Sequence, residues 1–293
     1  MNTRVYHGGV TNIFRTVSLL SAFILTAASS YGFEVALSPQ KTRGGQGFLL
    51  SITRASTGFY EIGYNEKTYS PYGGDGKKRI FLPVGIEARG KKKITVKYTA
   101  EDGRQETRQA WLKVTGRKKK SVRLKEKDEK IRADQPMIDE QNRLVLEKLR
   151  TRSEEQLWSG SFTAPLKAPI ATKFALQRKA RTYSYYHKGI DYAAPVCTPV
   201  KAVNAGRVIY AVSGLNVYGN LLMIDHGQGI VSCYFHLNKF FKKEGDMVAK
   251  GEVIAEVGCT GWATGPHLHF GLYLQGEAVD PLWWIAFTKK YQK

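Results

Sequence analysis

Apolar residues recur at every second position through much of residues 33–124. Phe48, Leu50 and Ile52 alternate with more polar neighbours, as do Ile94, Val96 and Tyr98, and then Ala110, Leu112 and Val114. Period two puts one face of a strand in a core and the other in water. Gly44-Gly45, Gly73-Gly74-Asp75-Gly76, Gly90 and Asp102-Gly103 supply turns between the runs. Short strands at this spacing predict a small antiparallel sandwich. Over residues 125–158 the period lengthens. Pro136 and Asp139 fall near a start, and Ile138, Val145 and Leu149 keep helical spacing. Both signs of charge are mixed there, which predicts an exposed connecting helix. Alternation returns near the C-terminus, where His267, His269, Gly271 and Tyr273 interleave with Leu268 and Phe270.

The first residues follow a different rule. Arg4 and Arg15 precede the mostly apolar run from Thr16 to Ala28, and the small residues Ser29, Ser30 and Gly32 follow it. A basic, then apolar, then small-residue order predicts a secretory signal peptide over residues 1–32, cleaved to leave a periplasmic or secreted protein. The apolar run is shorter than the roughly 18 residues that a membrane-spanning helix needs. The predicted plan is therefore a signal peptide (1–32), a β-sandwich domain (33–124), a helical linker (125–158) and a C-terminal domain (159–293).

The charge is large and uneven. The chain of 293 residues carries 45 Lys and Arg against 25 Asp and Glu, a net +20. Residues 33–124 hold 20 basic and 8 acidic residues, whereas residues 159–293 hold 15 and 8. Much of the charge thus lies where no catalytic constellation is found, in clusters such as Lys77-Lys78-Arg79, Lys91-Lys92-Lys93 and Arg117-Lys118-Lys119-Lys120. Such clusters block edge-to-edge strand pairing and dock anionic polymers. Export weakens a nucleic-acid reading, so the expected partners are anionic envelope polymers and not nucleic acid. The three cysteines, Cys197, Cys233 and Cys259, are an odd number. Buried free thiols are expected.

Five of the six histidines lie in residues 187–269. A catalytic zinc takes about three protein ligands and keeps one position open. His267 and His269 are two apart, so on a strand they address one side. His187 and Asp191 are four apart across Gly189, where a bent segment can turn both inward. Together with His236 they offer one carboxylate and several imidazoles, a plausible mononuclear zinc site. His226, before Gly227, reads as a turn residue.

Residues 159–293 resemble the lysostaphin-type zinc endopeptidases, which include LytM-like and beta-lytic enzymes. The resemblance is carried by His187-Lys188-Gly189-Ile190-Asp191, Thr198-Pro199-Val200, Tyr218-Gly219-Asn220, Asp225-His226-Gly227, Tyr234-Phe235-His236-Leu237 and Gly265-Pro266-His267-Leu268-His269-Phe270. It implies an antiparallel β-sheet peptidase domain in a mainly β chain. It also implies one Zn2+ per chain held by His187, Asp191 and His269, with His236 and His267 as unligated catalytic histidines. The implied substrate is the peptide stems of bacterial peptidoglycan, cut by default at D,D cross-links. The front segment is similar in layout to the small β-sandwich preceding this domain in exported Gram-negative members. Cys197 and Ala175 stand where the family usually has glycine. The alternative is a non-catalytic wall-binding protein or an activator of other wall hydrolases; any regulatory protein is left unidentified.

Overall fold

A computed structural model describes residues 32–74, 76–124, 135–151, 153–181 and 183–291. The leader expected over residues 1–32 lies, but for its last residue, outside the described residues.

The alternating front segment forms two sheets. Glu34–Ser38, Gly47–Ala55 and Gly76–Pro83 pair antiparallel in one. The other runs in the order Lys41–Arg43, Gln105–Thr115, Gly90–Thr99, Phe59–Tyr64, Lys67–Tyr69. Phe48, Leu50 and Ile52 of the first sheet are fully buried, as are Ile62, Ile94, Val96 and Leu112 of the second. The Phe48 and Tyr64 rings meet edge to face across the sheets, 5.3 Å between centroids. Period two was therefore read correctly for these strands.

One face departs from expectation. Leu49 and Phe81 are cross-strand partners on the side of the first sheet expected to be wet, yet they are 3% and 1% exposed. They join the core of the C-terminal half with Trp158, Phe162 and Trp284. The Phe81 ring lies 5.1 Å from that of Trp284 and 6.2 Å from that of Phe287. Both partners sit on a C-terminal helix, Pro281–Tyr291, which the alternation did not reveal. Its signal was present: the Asp280 carboxylate accepts the Leu282 N–H at 3.2 Å, and Pro281 opens the first turn. Asp280 also pairs with Arg117 of the front segment at 2.9 Å. These contacts join residues 33–293 into one compact unit.

The C-terminal half is built on a ten-stranded sheet. Its main path runs Ile170–Thr172, Ile190–Ala193, His267–Leu274, Ile230–Phe240, Gly219–Asp225, Gly206–Leu215, Met247–Val248. Neighbours on this path are antiparallel. Leu222, Ile224, Tyr234, Leu268, Phe270 and Leu272 fill the core on one side. On the other side Met223, Cys233, Phe235 and Tyr273 pack with Val145 and Leu149 of the helix Gln135–Leu149. That helix is therefore docked on the sheet and is not exposed as expected. Its apolar residues were legible, but mixed charge on its remaining faces concealed the docking.

The chain leaving this helix is pinned by the 225–228 turn. The Ser153 hydroxyl donates to Asp225, Gly227 N–H bonds the same carboxylate at 2.8 Å, and Leu157 N–H bonds the His226 carbonyl at 2.9 Å. A β-carbon on Gly227, at φ +86°, would stand 1.8 Å from the Glu155 carbonyl oxygen. His226 is fully buried and hydrogen-bonds the Ala205 carbonyl and the Ser232 hydroxyl at 2.7 and 2.8 Å. It is thus a core histidine in a turn. Burial pushes its pKa down to about 4, opposed only in part by the Ala205 carbonyl. The unfolded chain binds this proton near pH 6.5 and the folded chain does not. Stability is therefore full above about pH 6.5 and falls as pH drops toward 4, by roughly 2 to 3 kcal/mol from this group. Chemical denaturation at pH 7 and pH 4.5 should show a loss that shrinks by that amount in His226→Gln.

Only Cys233 is a buried thiol. Cys197 and Cys259 are free but exposed, contrary to expectation. Both lie at loop positions beside the sheet, where no neighbouring layer covers them.

Candidate active site

Three strands deliver the chemistry. Asp191 and His269 face each other in register on adjacent strands, and Phe235 flanks His269 on its other side. Directly opposed residues share a face, so all three side chains stand on the side opposite Leu268 and Phe270. The Phe235 ring stacks on His269 at 5.0 Å and 8°, fixing the imidazole plane. His187 comes from the turn before Ile190–Ala193 and is 3% exposed. Gly189 lets that turn pass against the strand. A β-carbon there would stand 2.5 Å from the Phe270 carbonyl oxygen and 2.6 Å from His269 Nε2.

The result is a convergence of three donor atoms. His187 Nε2 lies 2.9 Å from Asp191 Oδ1 and 2.9 Å from His269 Nδ1, and His269 Nδ1 lies 2.8 Å from Asp191 Oδ1. His187 Nδ1 faces the Lys173 carbonyl at 3.1 Å. A carbonyl only accepts, so Nδ1 carries a proton there, and Nε2 is the nitrogen turned to Asp191 and His269. Burial pushes His269 down to about 4, against the opposing pull of Asp191. Burial alone would raise Asp191, but hydrogen bonds with His187 and His269 outweigh it and hold the carboxyl below the usual carboxylate range. Two imidazole nitrogens and a carboxylate oxygen brought within 2.9 Å of one another can share one cation, a proton or a metal ion. The set is able to hold one metal ion.

His236 arrives by a different device. Tyr234 and Leu237 both lie in the core on the far side of the sheet. Strict alternation cannot place Phe235 and His236 together on the near side. A register shift against Gly219–Asp225 and φ +61° at His236 make a bulge that does so. His236 Nδ1 donates to the Thr260 carbonyl and His267 Nδ1 to the Gly265 carbonyl, each at 2.8 Å. Their rings are 4.7 Å apart, and His236 is 6.2 Å from His269. Burial, reinforced by His269 and His267, pushes His236 down to about 3, so it is neutral at neutral pH.

All five expected residues therefore stand in one place. An open cleft of about 320 Å³ holds Asp191, His236, His267 and His269, with Thr172, Arg178, Trp262 and Pro266 around them. Arg178 was missed by sequence reasoning. Its Nη2 lies 3.3 Å from Asp191 Oδ2, the oxygen turned away from the imidazoles. Leu124 also reaches the cleft, because Lys120–Arg123 of the front segment pairs in parallel with Leu176–Lys179. Ala175 and Cys197 adopt φ of 63° and 69°. That left-handed conformation explains why glycine suits these positions, and neither side chain enters the donor set.

The sequence model of Peptidase family M23 matches residues 185–281, the stretch spanning every histidine of the cleft. Over 96 residues the chain is 48% identical to a Neisseria meningitidis protein named DD-carboxypeptidase/endopeptidase Mpg, covering 33% of this chain and 22% of that one. It is 40% identical over 96 residues to a Vibrio cholerae Peptidoglycan DD-endopeptidase ShyB, with the same two coverages. The match thus spans about a fifth of the length of these relatives. A crystal structure of a putative peptidase M23 from Pseudomonas aeruginosa superposes with a TM-score of 0.59 at 25% identity, over 78% of this chain and 88% of that one. Residues 185–281 are a Peptidase M23 domain, carried in a mainly β chain whose front region is also β-rich.

Proposed function

We propose that this chain is a zinc endopeptidase that hydrolyses peptide cross-links of bacterial peptidoglycan outside the cytoplasm, with D,D bonds between stem peptides as its target. The observation that carries this reading is the convergence of His187 Nε2, Asp191 Oδ1 and His269 Nδ1 beside two further imidazoles in one open cleft. Two imidazole nitrogens and one carboxylate oxygen fit one zinc ion with a position left for water. When bound, zinc supplies Lewis acidity and makes a water molecule acidic enough to yield hydroxide near neutral pH.

The chain's own residues do the rest. His236 and His267 each present Nε2 to the cleft, because Nδ1 of each is committed to a carbonyl. In this reading one takes the attacking water's proton at Nε2 and one returns a proton to the leaving amine. Arg178 holds Asp191 Oδ2, which leaves Oδ1 with the two imidazole nitrogens that would hold the ion. Gly265 and Pro266 border the cleft and leave an open wall for an extended peptide. The names of the relatives, which act on D,D bonds, support the substrate class. The leader expected over residues 1–32 supports export, and the domains proposed are 33–124, 125–158 and 159–293.

The test is direct. Zinc-loaded mature protein incubated with purified sacculi is expected to release fragments whose masses show stem peptides separated at a D,D cross-link. Prior chelation should stop the release. Binding to sacculi with no release at any zinc concentration would favour the non-catalytic alternative instead.

A further inference from the structure

The outer face of the five-stranded front sheet is not an ordinary solvated face. Register places Lys41 beside Lys113 and Lys113 beside Lys91, so three lysines stand in one row across three strands. Neighbouring strands are about 4.8 Å apart. Like charges directly opposite one another destabilise a sheet. All three are exposed, and none enters an ion pair among the described residues. In the next row Lys93 faces Trp111, which is 51% exposed. Beyond it come Gln109 opposite Thr95, then Thr107 opposite Lys97. The one carboxylate on these rows is Glu61, beside Lys97 at the far end.

This face thus combines uncompensated positive charge, an uncovered indole and neutral amide and hydroxyl groups. We propose that it binds an anionic polysaccharide: Trp111 stacks on a sugar ring, Gln109 and Thr95 hydrogen-bond its hydroxyl or acetamido groups, and Lys91, Lys93 and Lys113 pair with carboxylates along the chain. Side chains standing in rows across an exposed sheet face suit an extended saccharide. A lipid surface calls for protruding apolar loops, and a duplex nucleic acid offers no exposed ring face to Trp111. The site lies on the front half, carries no residue of the cleft and does not depend on the peptidase reading.

The register supplies its own control. Lys92 belongs to the same sequence cluster as Lys91 and Lys93, but it is opposite buried Leu112 and therefore on the other side of the strand. Lys92→Glu changes the same net charge as Lys91→Glu without touching this face. The probe is peptide-free glycan strands prepared from peptidoglycan, whose lactyl carboxylates provide the charge. Binding is read by tryptophan fluorescence and by isothermal titration of the full mature chain. Wild type is expected to bind with a fluorescence change that is absent in Trp111→Ala. Affinity should fall at least 10-fold in Trp111→Ala and in Lys91→Glu, and stay within twofold in Lys92→Glu. Neutral chitin oligosaccharides should bind at least 10-fold more weakly than the glycan strands. Equal loss in Lys92→Glu would overturn the proposal, as would unchanged binding in Trp111→Ala. Tighter binding to duplex DNA or to phosphatidylglycerol vesicles would assign the face to that partner instead. Sacculus cleavage by the variants is a separate readout, so failure here leaves the peptidase reading standing, and the reverse also holds.

Discussion

His269→Ala is expected to abolish metal binding and peptidoglycan cleavage together. His269 sits in register with Asp191 and is stacked under Phe235, and its Nδ1 is one of three converging donors. Removing it leaves two donors, too few for a stable mononuclear site. Zinc per chain, measured by elemental analysis after dialysis, should fall from near one to below about 0.1 of that. Fragment release should fall by roughly 1,000-fold or more, equivalent to about 4 kcal/mol of barrier. The side chain is buried, so a folding defect must be separated from a site defect. Circular dichroism and thermal unfolding of the metal-free proteins provide that check. Full zinc occupancy in a folded His269→Ala protein would remove this residue from the ligand set.

His236→Asn is expected to do the opposite with the metal and nearly the same with the rate. His236 does not belong to the converging triad, and its Nε2 opens on the cleft. Loss of a positioned acid or base costs about 100- to 10,000-fold. Zinc content should be unchanged, and substrate affinity within a few-fold. Asparagine is the chosen replacement because His236 has φ +61°, a conformation asparagine tolerates better than most side chains. His236→Ala would add backbone strain of about 1 kcal/mol to the chemical loss. Lost zinc together with lost activity in His236→Asn would show a structural rather than a chemical role. Undiminished turnover would take the residue out of the reaction altogether.

The two variants differ in what made their residues visible. His269 was readable from His-x-His on an alternating run, because strand periodicity assigns both imidazoles to one side. His236 was counted among the clustered histidines, but its role beside the metal site came only from the resemblance, since Tyr234-Phe235-His236-Leu237 gives no local reason for two consecutive side chains to share a side. Only the bulge against Gly219–Asp225 does that. Arg178 carried no signal at all. Its strand is short, and the pairing of Lys120–Arg123 with Leu176–Lys179 that frames it joins segments more than fifty residues apart.

The same division runs through the fold. Local patterns determined the strands of the front sandwich, the apolar stripe of the Gln135–Leu149 helix and the His267/His269 pair of the cleft, because periodicity and short spacings act within a few residues. Tertiary structure alone decided which surfaces are covered. Leu49 and Phe81 look like wet-face residues until the C-terminal helix packs on them. Lys91, Lys92 and Lys93 look like one cluster until strand register sends Lys92 to the other side. The physical reason is common to both. A residue's period fixes the side of its own strand, whereas what lies against that side depends on chain segments that only folding brings near.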